Sequence, residues 1–147
     1  MKTPPSSSPF WKLFNAYSAF NVRLYRASGG RLGGRMQRAP VLLLHHVGAR
    51  SGKARVTPVL YLEDGERLVI VASKGGTDKN PAWFHNLMAN PETEVEVGRE
   101  RRRVRARRAA DEERASYWPR LVEIYSNYDD YQRQTDRVIP VVVLDPR

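Results

Sequence analysis

Gly48-Ala49-Arg50-Ser51-Gly52-Lys53-Ala54-Arg55-Val56-Thr57-Pro58 follows an apolar run over residues 41–47, and Ser73-Lys74-Gly75-Gly76 closes another over 67–73. β-Branched and leucine side chains dominate these runs, so each glycine-bearing segment reads as a loop leaving a strand. Glycine lets backbone N–H groups turn inward around a ligand, while Arg and Lys add charge and hydrogen bonds. Two such loops flanking one hairpin read as a shared site for an anion such as phosphate; singly, each also reads as a solvated turn. The spacing is wrong for an ATP-binding loop, which needs four residues between its glycines and a hydroxyl after the lysine. Here three residues separate Gly48 from Gly52, and Ala54 follows Lys53.

Outward from this hairpin the strand period continues. Residues 55–62 and 67–73 form strands around a turn at Glu63-Asp64-Gly65-Glu66, and 93–97 pairs with 101–109 around Gly98. Asn80-Pro81 caps a short helix over 81–89, which Asn90-Pro91 ends. Asp111-Glu112-Glu113 opens a further helix, where the helix dipole favours acids, and Pro119 is expected to kink or restart it. A last strand covers 138–144. These elements predict an α+β fold, a small antiparallel barrel with peripheral helices. The expected organisation is a disordered Pro/Ser tail over 1–8, a helix and Gly-rich connector over 9–40, and the barrel over 41–147.

The helix runs from Ser8-Pro9 to Gly29-Gly30, with Phe10, Leu13, Phe14, Tyr17, Phe20 and Leu24 at spacings of three and four. Among its charges are only cations, so residues 9–28 read equally as a helix docked on the barrel or as one lying on an anionic membrane surface. The net charge of +9 is concentrated here: residues 1–62 hold ten Lys/Arg and no acid, whereas 63–147 hold fifteen Lys/Arg and sixteen Asp/Glu. An anionic partner near the N-terminal half follows. The chain has no cysteine, which excludes disulfides, a thiol nucleophile and Cys-bound metal, and a cytoplasmic setting is expected. No apolar run reaches the length of a membrane span.

Three constellations compete for chemistry. His45 and His46 are adjacent on a strand and point to opposite faces, and His85 stands without a second ligand at helical spacing, so no metal site is expected. Residues 99–108 hold seven arginines and one glutamate. Arg101, Arg103, Arg105 and Arg107 share one strand face, where Glu94 and Glu96 can pair with them. With no interleaved aromatic, this reads as a charge-paired surface and not as a nucleic-acid groove. Tyr125, Tyr128 and Tyr131 recur every third residue beside Asn127, Asp129 and Asp130, as a core stripe or the wall of a cleft.

Together these motifs resemble the deazaflavin-dependent nitroreductase family of actinobacterial oxidoreductases, which use coenzyme F420. The likeness runs from about Leu32 to Pro146. It rests on 48–58, Val71-Ala72-Ser73-Lys74-Gly75-Gly76, Asn80-Pro81-Ala82-Trp83-Phe84-His85-Asn86-Leu87, Ala89-Asn90-Pro91, Tyr117-Trp118-Pro119, 125–131 and Thr135-Asp136-Arg137. The resemblance implies a split β-barrel of the flavin-reductase and pyridoxamine-oxidase type. It implies a phosphate end held by Arg50, Ser51, Gly52, Lys53 and Arg55, with Val56, Thr57, Pro58, Val59 and Leu60 beside the cofactor and Val71, Ala72, Ser73 and Lys74 opposite. Ala82, Trp83, Phe84, His85 and Asn86 would close the pocket. Tyr125, Tyr128 and Tyr131 would form the substrate wall, with Ser73 near the reacting carbon and Tyr128 or Ser73 relaying a proton.

The expected activity is hydride transfer from reduced F420 to a quinone or nitro-aromatic acceptor; a non-catalytic F420 or flavin carrier is the rival reading, and a homo-oligomer is compatible with either. The chain departs from the family in three places. His45-His46-Val47 replaces three threonines and Ala49 an arginine, leaving the loop to Lys53 and Arg55. Leu60 stands where some nitroreductases have tyrosine, which favours the quinone.

Overall fold

Leucine and valine fill consecutive positions at 41–44, 68–71 and 141–144, a pattern that suits strands covered on both faces. The computed structural model describes residues 22, 23, 25–27, 35, 36 and 39–147. Its strands are β1 (Arg35–Met36), β2 (Ala39–Val47), β3 (Ala54–Leu60), β4 (Leu62–Asp64), β5 (Arg67–Val71), β6 (Glu92–Val97), β7 (Glu100–Arg108) and β8 (Val141–Pro146). The helices are α1 (Ala82–Ala89), α2 (Asp111–Ile124) and α3 (Asn127–Arg133). All strands join one antiparallel sheet in the order β1-β2-β6-β7-β8-β5-β4, with β3 on the other side of β2. The sheet curls into a split β-barrel.

Alternate residues of each apolar strand serve different cores. Leu42, Leu44, Leu68, Ile70, Val142 and Leu144 face the inside of the curl, where Trp83, Phe84 and Leu87 of α1 plug it. Val69, Val71, Val141 and Val143 face outward and are covered by Tyr117 and Leu121 of α2 and by Tyr125 and Tyr128. Val41 and Leu43 meet Val22 and Tyr25. Each fully buried leucine or valine contributes about 2 kcal/mol.

The helical residues 22–27 that are described dock on the barrel. The Tyr25 hydroxyl accepts from the Gly98 N–H at 2.7 Å, and Arg26 pairs with Glu96 at 2.9 Å. The expectations for the tail and for most of the helix and connector lie outside the described residues. The sheet itself starts at Arg35, ahead of the expected boundary at 41, because β1 adds to the N-terminal end of β2.

Several elements differ from expectation for identifiable reasons. The strand over 55–62 breaks at Tyr61, whose N–H bonds the Pro40 carbonyl at 3.0 Å. There the chain leaves β2 and joins β5, closing the curl. Glu63 and Asp64 belong to β4, and the Asp64–Arg67 pair leaves a two-residue turn at Gly65-Glu66. Pro119 does not interrupt α2, because Pro119 and Ala115 lie on its exposed side and the carbonyl freed by the ring faces water. The restart comes instead at Tyr125-Ser126. Asn80 does not cap α1; its Oδ1 accepts from Arg137 at 2.7 Å. The last strand begins at Val141, after the buried Ile139 and Pro140.

Three of the four arginines in the alternating row are charge-paired. Arg101 meets Glu94 at 2.6 Å, Arg105 meets Glu92 at 3.1 Å, and Arg107 bridges Asp145 and Glu113. Glu96 turns away from this row to Arg26 and His45.

Candidate active site

The loop between β2 and β3 is closed by its own backbone: Gly48 N–H donates to Lys53 O and Gly52 N–H to Gly48 O, both at 2.9 Å. Ser51 Oγ accepts from the Lys53 N–H at 3.2 Å. Arg50, Ser51, Gly52, Lys53 and Arg55 are exposed, and Arg50, Lys53 and Arg55 engage no carboxylate among the described residues. Three cations on a closed loop form a donor set suited to phosphate or carboxylate oxygens.

A buried polar chain supports this loop from behind. The Ala49 N–H donates to Asn86 Oδ1 at 2.9 Å, Asn86 Nδ2 lies 2.9 Å from His46 Nδ1, and His46 Nε2 lies 2.9 Å from Thr57 Oγ1. Burial, reinforced by Arg55 and His45, pushes His46 down to about 4. In the unfolded chain His46 takes up a proton near 6.5, so between these values the unfolded state binds more protons and stability falls as pH falls. Urea denaturation is expected to show a loss of about 2 kcal/mol between about pH 7.5 and 5, absent in His46→Gln. Asp64, Glu96 and Glu113 titrate lower. Tyr117 and Arg120 hold Asp64 down, Arg26 and His45 hold Glu96 down against burial, and Arg107 holds Glu113 down.

The second loop is built around Arg137. Its guanidinium donates to Ser73 O and Asn80 Oδ1 at 2.7 Å, Thr77 O at 2.9 Å and Ala72 O at 3.2 Å. Lys74 adopts φ 44°, and Gly76 (φ 77°) lies directly against the backbone of Tyr131. The Ser73 hydroxyl makes no hydrogen bond among the described residues and is half-buried.

Through Gly76 the loop meets the tyrosines. Tyr125 and Tyr131 share a hydroxyl–hydroxyl bond of 3.0 Å, and Asn127 donates to Tyr125 at 3.1 Å. Tyr128 packs edge-on against Tyr125 at 4.9 Å and is buried, which raises its phenol. Tyr131 is half-buried; burial and its bond to Tyr125 push it up to about 12, so at neutral pH it is a protonated donor. The outward phenol is therefore Tyr131, and Tyr128, expected to relay a proton, packs beneath it.

The predicted site residues thus gather at the two ends of β3. Ala54 adjoins the cationic loop, and Leu60 packs against the outer core to which Tyr125 and Tyr128 belong. Seven residues of strand extend about 20 Å. Val56, Thr57 and Pro58 are half-buried between these ends. Val59, Val71, Ala72, Trp83 and Phe84 have their side chains in the cores, Asn86 is engaged internally, and of the α1 set Ala82 and His85 are exposed. His46 and the role of Arg137 escaped the sequence reading. Their signals were a histidine directly before the loop and an arginine in a quoted motif with no assigned acceptor.

The family model described as F420H(2)-dependent quinone reductase matches residues 18–146. This chain belongs to that family. Within it, the F420H(2)-dependent quinone reductase Rv1261c of Mycobacterium tuberculosis is 44% identical over 128 residues, covering 84% of this chain and 86% of its own. The solved structure of an F420-H2 dependent reductase, FDR-A, is 40% identical, covers 72% of this chain and 94% of its own, and superposes with a TM-score of 0.67. Another solved chain, described as a domain-swapped dimer, is 34% identical with a TM-score of 0.69 and covers 90% of this chain and 98% of its own. The matched range takes in the loop, the arginine-held turn and the tyrosines described above.

Proposed function

We propose that this chain reduces a quinone at the expense of reduced F420, holding the anionic end of the cofactor on Arg50, Ser51, Lys53 and Arg55. As a member of the family it is an F420-dependent oxidoreductase; the acceptor and the roles of its residues are our reading. The observation that carries it is the set of three exposed cations, with no carboxylate partner among the described residues, at one end of β3, whose other end packs against the outer core that holds the tyrosines. An elongated molecule with an anionic tail and a flat ring suits that layout. When bound, reduced F420 supplies a hydride.

The protein's own share is to bind, orient and supply a proton. Lys53 and Arg55 hold charge, while Val56, Thr57 and Pro58 lie along the cofactor and Ser73 and Lys74 approach it from the second loop. The Ser73 hydroxyl and the neutral Tyr131 phenol stand ready to donate to the oxygen of a reduced acceptor. Tyr128 and Tyr125 pack behind Tyr131 and keep water from that side.

Titration of the protein with F420, followed by fluorescence, tests the anion site. Lys53→Ala and Arg55→Ala are each expected to weaken binding about tenfold, with the loss shrinking in high salt. Unchanged affinity in the double variant would remove the assignment. Mixing protein, reduced F420 and menaquinone then separates the enzyme from a carrier, since a carrier would bind without reoxidation. A nitroimidazole in place of menaquinone tests the nitro-aromatic alternative.

A further inference from the structure

The orientation of the buried polar chain is dictated at one end by the backbone. The Ala49 N–H can only donate, so the oxygen of Asn86 faces it, and the amide nitrogen faces His46 Nδ1. An amide nitrogen also only donates, so Nδ1 is the bare nitrogen of the ring and the proton sits on Nε2. Nε2–H then donates to Thr57 Oγ1. With its acceptor position toward His46 filled, the Thr57 hydroxyl directs its own hydrogen elsewhere, and no residue described here receives it. His46 is 5% exposed and lies opposite Arg55 in the β2–β3 register, on the face shared with Thr57.

We infer that His46 is a positioning residue for the ligand: held as the Nε2–H tautomer by Asn86, it presents Thr57 as a hydrogen-bond donor beside Arg55. The inference rests on the proposed placement of F420 along β3. It specifies the group that receives the hydroxyl hydrogen as an acceptor, a carbonyl, carboxylate or phosphoryl oxygen. It also assigns Ala49 a structural part. Its N–H is held inward by Asn86, and those of Gly48, Gly52 and Lys53 are engaged within the loop, so the anion is left chiefly to the side chains of Arg50, Lys53 and Arg55. Burial keeps His46 neutral through the physiological range, as the arrangement requires.

The test has a spectroscopic arm and a thermodynamic arm. Nitrogen-15 NMR of the histidine rings is expected to show His46 protonated at Nε2 and bare at Nδ1, without change from neutral pH down to about pH 5. In F420 titrations, Thr57→Val and His46→Phe are each expected to weaken binding about tenfold, and the double variant to be no more than about twofold worse than the weaker single. His46→Gln, whose amide can accept from Asn86 and donate to Thr57, is expected to recover most of what His46→Phe loses. A ring protonated at Nδ1 overturns the inference, and so do losses that multiply in the double variant. Should His46→Phe fail to fold, Thr57→Val with unaltered affinity overturns it alone. Absence of F420 binding by the unmodified chain overturns the functional reading and this inference together, whereas binding with multiplicative losses overturns only the inference.

Discussion

Gly76→Ala is expected to lower the unfolding free energy by about 3–5 kcal/mol, more than the same change at Gly52 or Gly65. An added Cβ would lie 2.5 Å from the Tyr131 carbonyl oxygen, 2.7 Å from its Cα and 2.9 Å from its Cβ. Two of these neighbours are backbone, so no side-chain rotation relieves the clash. The φ of 77° adds the strain of a left-handed conformation, about 1–2 kcal/mol. Gly65→Ala separates the two contributions. Its φ is 61° and nothing lies within 4 Å of the added atom, so only the conformational cost applies. Urea denaturation of both variants measures the difference; equal losses would mean that the loop and α3 are not in contact at Gly76.

Arg137→Met is the second large effect, expected to cost about 3–5 kcal/mol. The substitution keeps the apolar stem and removes four hydrogen bonds at once. It takes the guanidinium donor from the carbonyls of Ala72, Ser73 and Thr77 and from Asn80 Oδ1, with Ser73 O keeping only the Gly76 N–H. Burial lowers the proton affinity of the guanidinium, and the charge is stabilised chiefly by these acceptors, with Asp78 adding a longer-range attraction. Arg137→Lys is expected to recover little, because one ammonium cannot reach acceptors spread around a planar fork. Faster hydrogen exchange at the Gly76 N–H, which bonds Ser73 O, would show that the loop has loosened. A loss below about 1 kcal/mol in Arg137→Met would contradict the assignment of Arg137 as the holder of this loop.

The readability of the sequence followed how local each determinant is. The runs at 41–47 and 67–73, the Gly65 and Gly98 turns and the helix over 81–89 depend on neighbours in the chain, and all appear within a few residues of their expected bounds. The break at Tyr61 was invisible because it depends on which strand comes next in space. Pro119 misled because a helix tolerates proline when the freed carbonyl reaches water, and exposure is a tertiary property. At the site, the loop cations and the tyrosines stood out by residue type. The roles of His46 and Arg137 did not, since Asn86, which orients His46, lies 40 residues away and the acceptors of Arg137 about 60.

Pro58 carries a consequence of a different kind. β3 pairs with β2 on one side only, so it is a border strand of the split sheet. A proline fits in such a strand with its nitrogen turned away from the neighbour, where no N–H is required. A foreign strand arriving at this border would find a missing donor at its centre and the cation Arg55 near its end. Three-residue β4, with Glu63 and Asp64, blunts the opposite border in the same way. The groove along β3 can therefore stay open to a small molecule without inviting the strand-to-strand stacking that drives aggregation.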